Sequence, residues 1–205
     1  EIIRQEERSF EGKVSMINRM TTFIKATTEE LEEANRKLSE MAVVDGMTGV
    51  GNKTAYLQKI HSLDDAIQRG TASFTVYVFD LNGLKGINDK YGHESGDMAI
   101  TDAAEVLKTV FGKENLYRIG GDEFIAVFDG MKKPDTERCF ADLEKAMRAL
   151  DLTGKLYKEP LAIAKGAAAF CPGEDKEYRD VFRRADQSMY EEKTAYYKTH
   201  DRRRR

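Results

Sequence analysis

The run Tyr117–Phe128, YRIGGDEFIAVF, constrains the fold of this chain more than any other stretch. Two β-prone segments flank Gly120, Gly121, Asp122 and Glu123. β-Branched and aromatic residues suit a pleated, half-buried surface, and a Gly-Gly pair supplies the backbone freedom of a tight reversal. The stretch is therefore expected to form a β-hairpin. Gly-Gly and Gly-Asp are favourable turn chemistry in themselves, so the two acids need no further role on this stretch alone. Other segments decide whether the turn is only a turn.

The apolar run Ser73–Leu81, SFTVYVFDL, reads as a buried strand that ends in a carboxylate, Asp80. A carboxylate there is costly unless it meets solvent, a cation or a hydrogen-bond donor. If this strand and the second hairpin strand are antiparallel neighbours, the end of one meets the start of the other. Asp80 and Asp122 then share one sheet edge. Carboxylates brought together repel unless a proton or a divalent cation stands between them. Magnesium suits such a place, because it prefers hard oxygens and usually comes with phosphate. The following segment, Asp80–Asp97, DLNGLKGINDKYGHESGD, adds Lys85 for a phosphate and Asn88 and Asp97 as hydrogen-bonding edges. Gly83 and Gly86 permit close backbone approach. It is not a Walker sequence, and its weight comes from its combination with the acidic hairpin.

The first forty or so residues have another texture. Ile3, Phe10, Ile17, Ile24, Leu31 and Leu38 recur every seven residues among many charges. On a helix that repeat makes one narrow apolar seam, which is buried only against another helix. The companion seam is weak, with Val14, Thr21, Thr28 and Asn35 in one register or Met20, Thr27, Ala34 and Met41 in the other. A parallel dimeric stalk over 1–44 is expected, the alternative being one amphipathic helix docked on its own domain. Val43–Lys53, VVDGMTGVGNK, reads as a hinge-like turn. Beyond it, helices are expected at about 53–69, 95–111, 134–150 and 176–197, with a loop and short helix through Asn82–Gly92, NGLKGINDKYG, and a further strand at about 161–170. The reading is an α+β sandwich, a mixed central sheet flanked by helices, over 45–199, with a basic tail at 200–205.

The totals exclude several classes. A formal net charge of -3 argues against bulk nucleic-acid binding, and the Arg202–Arg205 run reads as a solvated tail. Cys139 and Cys171 form neither a disulfide framework nor a metal-ligand spacing. No apolar run is long enough to span a bilayer, and no signal peptide is visible. The chain begins at Glu1, which is expected to mark a piece of a longer protein with an upstream sensor.

Taken together, DGMTGVGNK, FDLNGLKGINDKYGHESGD, YRIGGDEF and RRADQSMYEEK resemble the GGDEF domain of the diguanylate cyclase family, with the signature literal at Gly120–Phe124. The resemblance covers roughly three quarters of the chain and implies a fold like that of nucleotidyl cyclases and polymerase palms. It implies that Asp80, the Leu81 carbonyl, Asp122 and Glu123 hold magnesium, with manganese as a substitute, and that Asp122 is the general base. Asn88 and Asp97 match the pair that reads the guanine edge, and Lys85 and Lys193 the phosphate lysines. Gly120 and Gly121 let GTP lie across the hairpin.

The implied reaction joins two GTP into cyclic di-GMP, one GTP per subunit of a homodimer, in the cytoplasm of a bacterium. The chain would then be the cytoplasmic end of a larger or membrane-anchored protein. Three departures stand out. Asn82 and Gly83 replace an acid and a bulky apolar residue, and Tyr197 stands near the place of a family arginine. Phe111–Glu114, FGKE, lacks the Arg-x-x-Asp product-binding motif. The alternatives are a GTP-binding domain without turnover and a coiled-coil dimerisation module.

Overall fold

The structure, a computed structural model, describes residues 16–32, 43–130 and 135–200. The chain divides into two compact units, Glu1–Ala42 and Val43–Arg205. In the first, residues 16–32 form helix α1. Along it Ile17, Met20, Phe23, Ile24 and Leu31 are all more than half exposed, so the apolar seam has no cover among the described residues. The intervening threonines satisfy themselves internally. Thr21 and Thr28 donate to the carbonyls of Ile17 and Ile24 one turn back, each at 2.9 Å. The repeat positions Ile3, Phe10 and Leu38, and the tail at 201–205, lie outside the described residues.

The second unit runs α2 (Lys53–Gln68), β1 (Phe74–Leu81), α3 (Leu84–Tyr91), α4 (His93–Phe111), β2 (Leu116–Gly120), β3 (Glu123–Asp129), α5 (Thr136–Ala149), β4 (Ile163–Ala169) and α6 (Tyr178–His200). The sheet order is β2-β3-β1-β4. Every pairing in it is antiparallel, which corrects the expected mixed sheet. The reason is topological. β1 and β2 do run the same way, as a strand–helix–strand crossover requires, but β3 inserts between them and they never pair. Among the described residues, parallel pairing survives only as an isolated bridge of Gly51 to Tyr117, where the 43–51 segment covers the outer edge of β2.

β1 is buried at every position, as a central strand covered on both faces must be. Its alternation assigns the faces. Tyr77, Phe79 and Leu81 point into a core with Leu107 and Phe111 of α4 and Leu143 of α5. Phe74, Val76 and Val78 point into a second core with Leu63 of α2 and Val181, Ala185 and Met189 of α6. The same alternation turns Asp80 toward α6. On that face β4 presents Ala164, Gly166 and Ala168, small residues that let α6 come close. A Cβ at Gly166 would overlap the Ala185 carbonyl and the Met189 amide nitrogen. α6 runs back along β4, so its C-terminal half reaches the end of β1.

The turn before α6 is locked by Asp175, which is 6% exposed. Its carboxylate accepts from the Cys171 amide at 2.7 Å and from both terminal nitrogens of Arg184. Arg184, the largest influence, holds the Asp175 carboxyl below the ordinary range, against a smaller opposing effect of burial. A depressed folded-state pKa stabilises above the unfolded value and is lost as pH falls through it toward the folded value. Asp175→Asn is therefore expected to cost about 1 to 2 kcal/mol at neutral pH, the lower part of the range because Arg184 is partly exposed. In urea unfolding, the gap to wild type should narrow below about pH 4.

Candidate active site

The end of β1, the hairpin turn and α6 meet at one place. Asp80 stands opposite Glu123 in the β1–β3 register, and the Leu81 amide donates to the Asp122 carbonyl at 3.2 Å. The sheet thus brings Asp80, Leu81, Asp122 and Glu123 together, beside Gly120 and Gly121 of the turn. Asp80 is 4% exposed. One of its oxygens accepts from Lys193 Nζ at 2.7 Å, and the other, Oδ1, is buried without a hydrogen-bond partner.

Burial pushes the Asp80 carboxyl up, its bond to Lys193 only partly offsets this, and the Asp122 charge adds to the rise. Glu123 is also raised, by burial and then by Asp80 and Asp122. Burial works against the charge on Lys193, but its bond to Asp80 and the nearby acids prevail and raise its pKa. This end of the sheet is a compressed acidic site with one resident cation. Among the described residues, no three His, Cys, Asp or Glu side chains converge as a preformed metal cage. An unpartnered buried carboxylate oxygen facing further acids nonetheless fits a hard divalent cation.

The hairpin turn is held from behind. Arg118 donates through Nε and Nη2 to the Gly121 carbonyl at 3.0 and 2.8 Å, and through Nη1 to Asp45 at 3.2 Å. Asp45 also accepts from the amide and hydroxyl of Thr48, at 2.9 and 2.6 Å. The 45–49 turn is therefore bonded to the hairpin and is not a loose hinge. Sequence reasoning passed over Asp45, although Asp-x-x-Thr is itself a turn signature.

The remaining candidates lie on the helix pair after β1. Lys85 and Asn88, three residues apart, share a face of α3. Lys85 is exposed, and Asn88 Oδ1 is buried without a partner. Asn88 packs on Gly96, where a Cβ would overlap its amide oxygen. Asp97, the next residue, is exposed on α4. The two polar edges are thus neighbours across the α3–α4 contact, and Gly96 is what lets Asn88 lie there. Tyr197, one turn beyond Lys193, accepts from the Gly83 amide at 3.1 Å.

A family profile described as "Diguanylate cyclase, GGDEF domain" matches residues 42–198, most of the chain and the whole of this site. The chain belongs to the GGDEF-domain family. Among curated relatives, the diguanylate cyclase DgcS of Shewanella oneidensis is 27% identical over 78% of this chain and 52% of its own length. The probable diguanylate cyclase DgcC of Escherichia coli is 30% identical over 82% of this chain and 45% of its own. The chain therefore spans about half the length of these relatives. Among solved structures, the coiled coil and GGDEF domain of DgcB from Caulobacter crescentus, in complex with c-di-GMP, superposes with a TM-score of 0.63 at 24% identity. The match covers 87% of this chain and 95% of that one, and it supports the fold. No described helix of this GGDEF chain is long and apolar enough to cross a membrane.

Proposed function

We propose that this GGDEF domain condenses two molecules of GTP into cyclic di-GMP with release of two pyrophosphates. The observation that carries the reading is the orphaned oxygen of Asp80, buried at the acidic end of β1 beside Asp122 and Glu123. Asp80, the Leu81 carbonyl, Asp122 and Glu123 would hold magnesium, or manganese in its place. The ion, when bound, supplies charge neutralisation at the α-phosphate and acidifies the attacking hydroxyl. Asn88 and Asp97 take the guanine edge: an amide donates to the base carbonyl and a carboxylate accepts from its N–H groups. Adenine would leave these groups unpaired, a strong penalty.

Lys85 and Lys193 bind the triphosphate, and for Lys193 this means leaving Asp80. Gly120 and Gly121 leave room for the nucleotide over the turn. The 3′-oxygen of one GTP then bonds to the α-phosphorus of the other, the bond to pyrophosphate breaks, and Asp122 accepts the hydroxyl proton. Repetition in the opposite sense closes the ring. Purified chain incubated with GTP and magnesium should yield cyclic di-GMP and pyrophosphate on chromatography, and ATP should yield nothing. GTP that is bound and recovered unchanged at every chain concentration would overturn turnover.

Each domain holds one of the two nucleotides, so a homodimer is required. The uncovered seam of α1 supports a second copy as its cover. Such a pair raises the effective concentration of the two sites. Ile24→Asp, a charge in the middle of the seam, is expected to weaken self-association about a hundredfold by sedimentation. Product formed per chain should then fall on dilution. Unchanged self-association would remove the seam from the proposal. An upstream sensor acting through α1, in a cytoplasmic setting, completes it.

A further inference from the structure

The two helices that carry Asn88 and Asp97 are joined by a single glycine. α3 ends at Tyr91, α4 starts at His93, and Gly92 between them has a φ of +88°. Such a joint fixes no angle by itself, because glycine tolerates many backbone conformations. One side-chain bond spans it locally, from the Ser95 hydroxyl to the Tyr91 carbonyl at 2.9 Å. The contact of Asn88 with Gly96 limits how closely the helices approach, but it does not hold them there. Asn88 stands before the joint and Asp97 after it, so the angle at Gly92 sets the spacing of the two polar edges.

The connection from α5 to β4, residues 150–162, supplies that hold through side chains. On α4 it takes both oxygens of the buried Asp102, to which the Tyr157 hydroxyl donates at 2.8 Å and Lys155 Nζ at 2.7 Å. On α3 it offers Glu159, which accepts from Lys90 Nζ at 2.7 Å and from the Tyr91 hydroxyl at 3.1 Å. Tyr157 and Glu159 are two residues apart and Tyr157 is fully buried, so both grips act from one short, fixed piece of backbone. The far end is tied as well, since the Ala162 carbonyl accepts from the Asn82 amide at 2.8 Å, just past β1. A carboxylate buried in mid-helix is costly unless it is paired, and neither the metal groups nor the guanine edge use Asp102. What it does is bind α4 to the same segment that holds the end of α3.

We propose that Tyr157 and Glu159 are positioning residues for base selectivity. They hold α3 against α4 at the spacing at which Asn88 and Asp97 meet one guanine together. The inference rests on the reading of that pair as the guanine edge. Recognition by hydrogen bonds needs its groups held to within about 0.5 Å, and here the two groups come from different helices. A shift of one helix against the other therefore costs a bond to the base. Lys85, four residues past the end of β1, and Lys193 on α6 keep their places, so the hold on the phosphates is spared.

The test is equilibrium binding, in magnesium, of 3′-deoxyguanosine, 3′-deoxyinosine and 3′-deoxy-GTP to the full chain. None of the three has the attacking hydroxyl, so none is consumed. Hypoxanthine lacks the 2-amino group of guanine, so the two nucleosides differ by one bond to the Asp97 carboxylate. Wild type is expected to prefer 3′-deoxyguanosine about tenfold or more, the effect of one hydrogen bond to a charged group. Tyr157→Phe and Glu159→Ala are each expected to reduce that preference, and together to bring it to about threefold or less, because a misaligned bond weakens steeply. The gain from 3′-deoxyguanosine to 3′-deoxy-GTP should stay as in wild type. Glu159 is partly exposed, so Glu159→Ala keeps the test open should Tyr157→Phe unfold. An unchanged base preference in both variants overturns the positioning role while leaving the guanine edge intact. An equal loss for all three probes overturns it too, because the connection then only stabilises the fold. A wild type that binds the two nucleosides equally overturns the guanine edge and the inference with it.

Discussion

Asp80→Asn is expected to lower cyclic di-GMP formation by about a hundredfold to a thousandfold, the loss typical when a group that stabilises transition-state charge is removed. Asparagine matches aspartate in shape, so β1 and its register with Glu123 survive. What changes is charge. In the native site burial and the Asp122 charge raise the Asp80 carboxyl, burial and the charges of Asp80 and Asp122 raise that of Glu123, and Lys193 is bonded to Asp80. The substitution removes the carboxylate oxygen that has no protein partner, and Lys193 loses its anchor on β1. Folding should be nearly unaffected or improved, because burial and the neighbouring acid already work against the Asp80 charge. Loss of product with an unfolding midpoint at or above that of wild type is the expected pair of results. Full activity in this variant would mean that β1 contributes no metal ligand.

Gly166→Ala is expected to destabilise the domain by about 3 kcal/mol or more, at or beyond the upper end of ordinary overpacking. The added carbon meets the α6 backbone at Ala185 and Met189, not the tip of a side chain that could swing away. α6 would have to lift from the sheet, and the lift carries Lys193 and Tyr197 with it. Urea unfolding should show the loss, and product formation should fall with it. Gly86 offers the contrast, since a Cβ there meets nothing within 4 Å and its φ is not positive. A wild-type unfolding curve for Gly166→Ala would contradict the close approach of helix and strand.

These two cases show how much the sequence disclosed. The hairpin was legible because glycines punctuate two apolar runs, and β1 because eight residues in a row suit a strand buried on both sides. Asp80 was legible as a charge at the end of such a run. Strand order was not: a strand–helix alternation sets the sense of β1 and β2 but does not say that β3 comes between them. Nor could the partner of Asp80 be read off locally, because Lys193 lies 113 residues away and arrives only through the small face of β4. The Asp45–Arg118–Gly121 chain was hidden for the same reason, its bonds joining parts 73 residues apart. Tyr197 was visible as a departure from the family, but its bond to Gly83 was not.

Everything proposed for this domain depends on whether the Gly120–Phe124 turn is a metal site or only a turn. The direct measurement is manganese binding, followed by electron paramagnetic resonance, to the chain saturated with 3′-deoxy-GTP, wild type beside Asp122→Ala. A tightly held ion is expected in wild type and its loss in the variant, while guanine-edge binding of 3′-deoxyguanosine persists. Equal manganese affinity in the two chains would contradict a metal site at the turn.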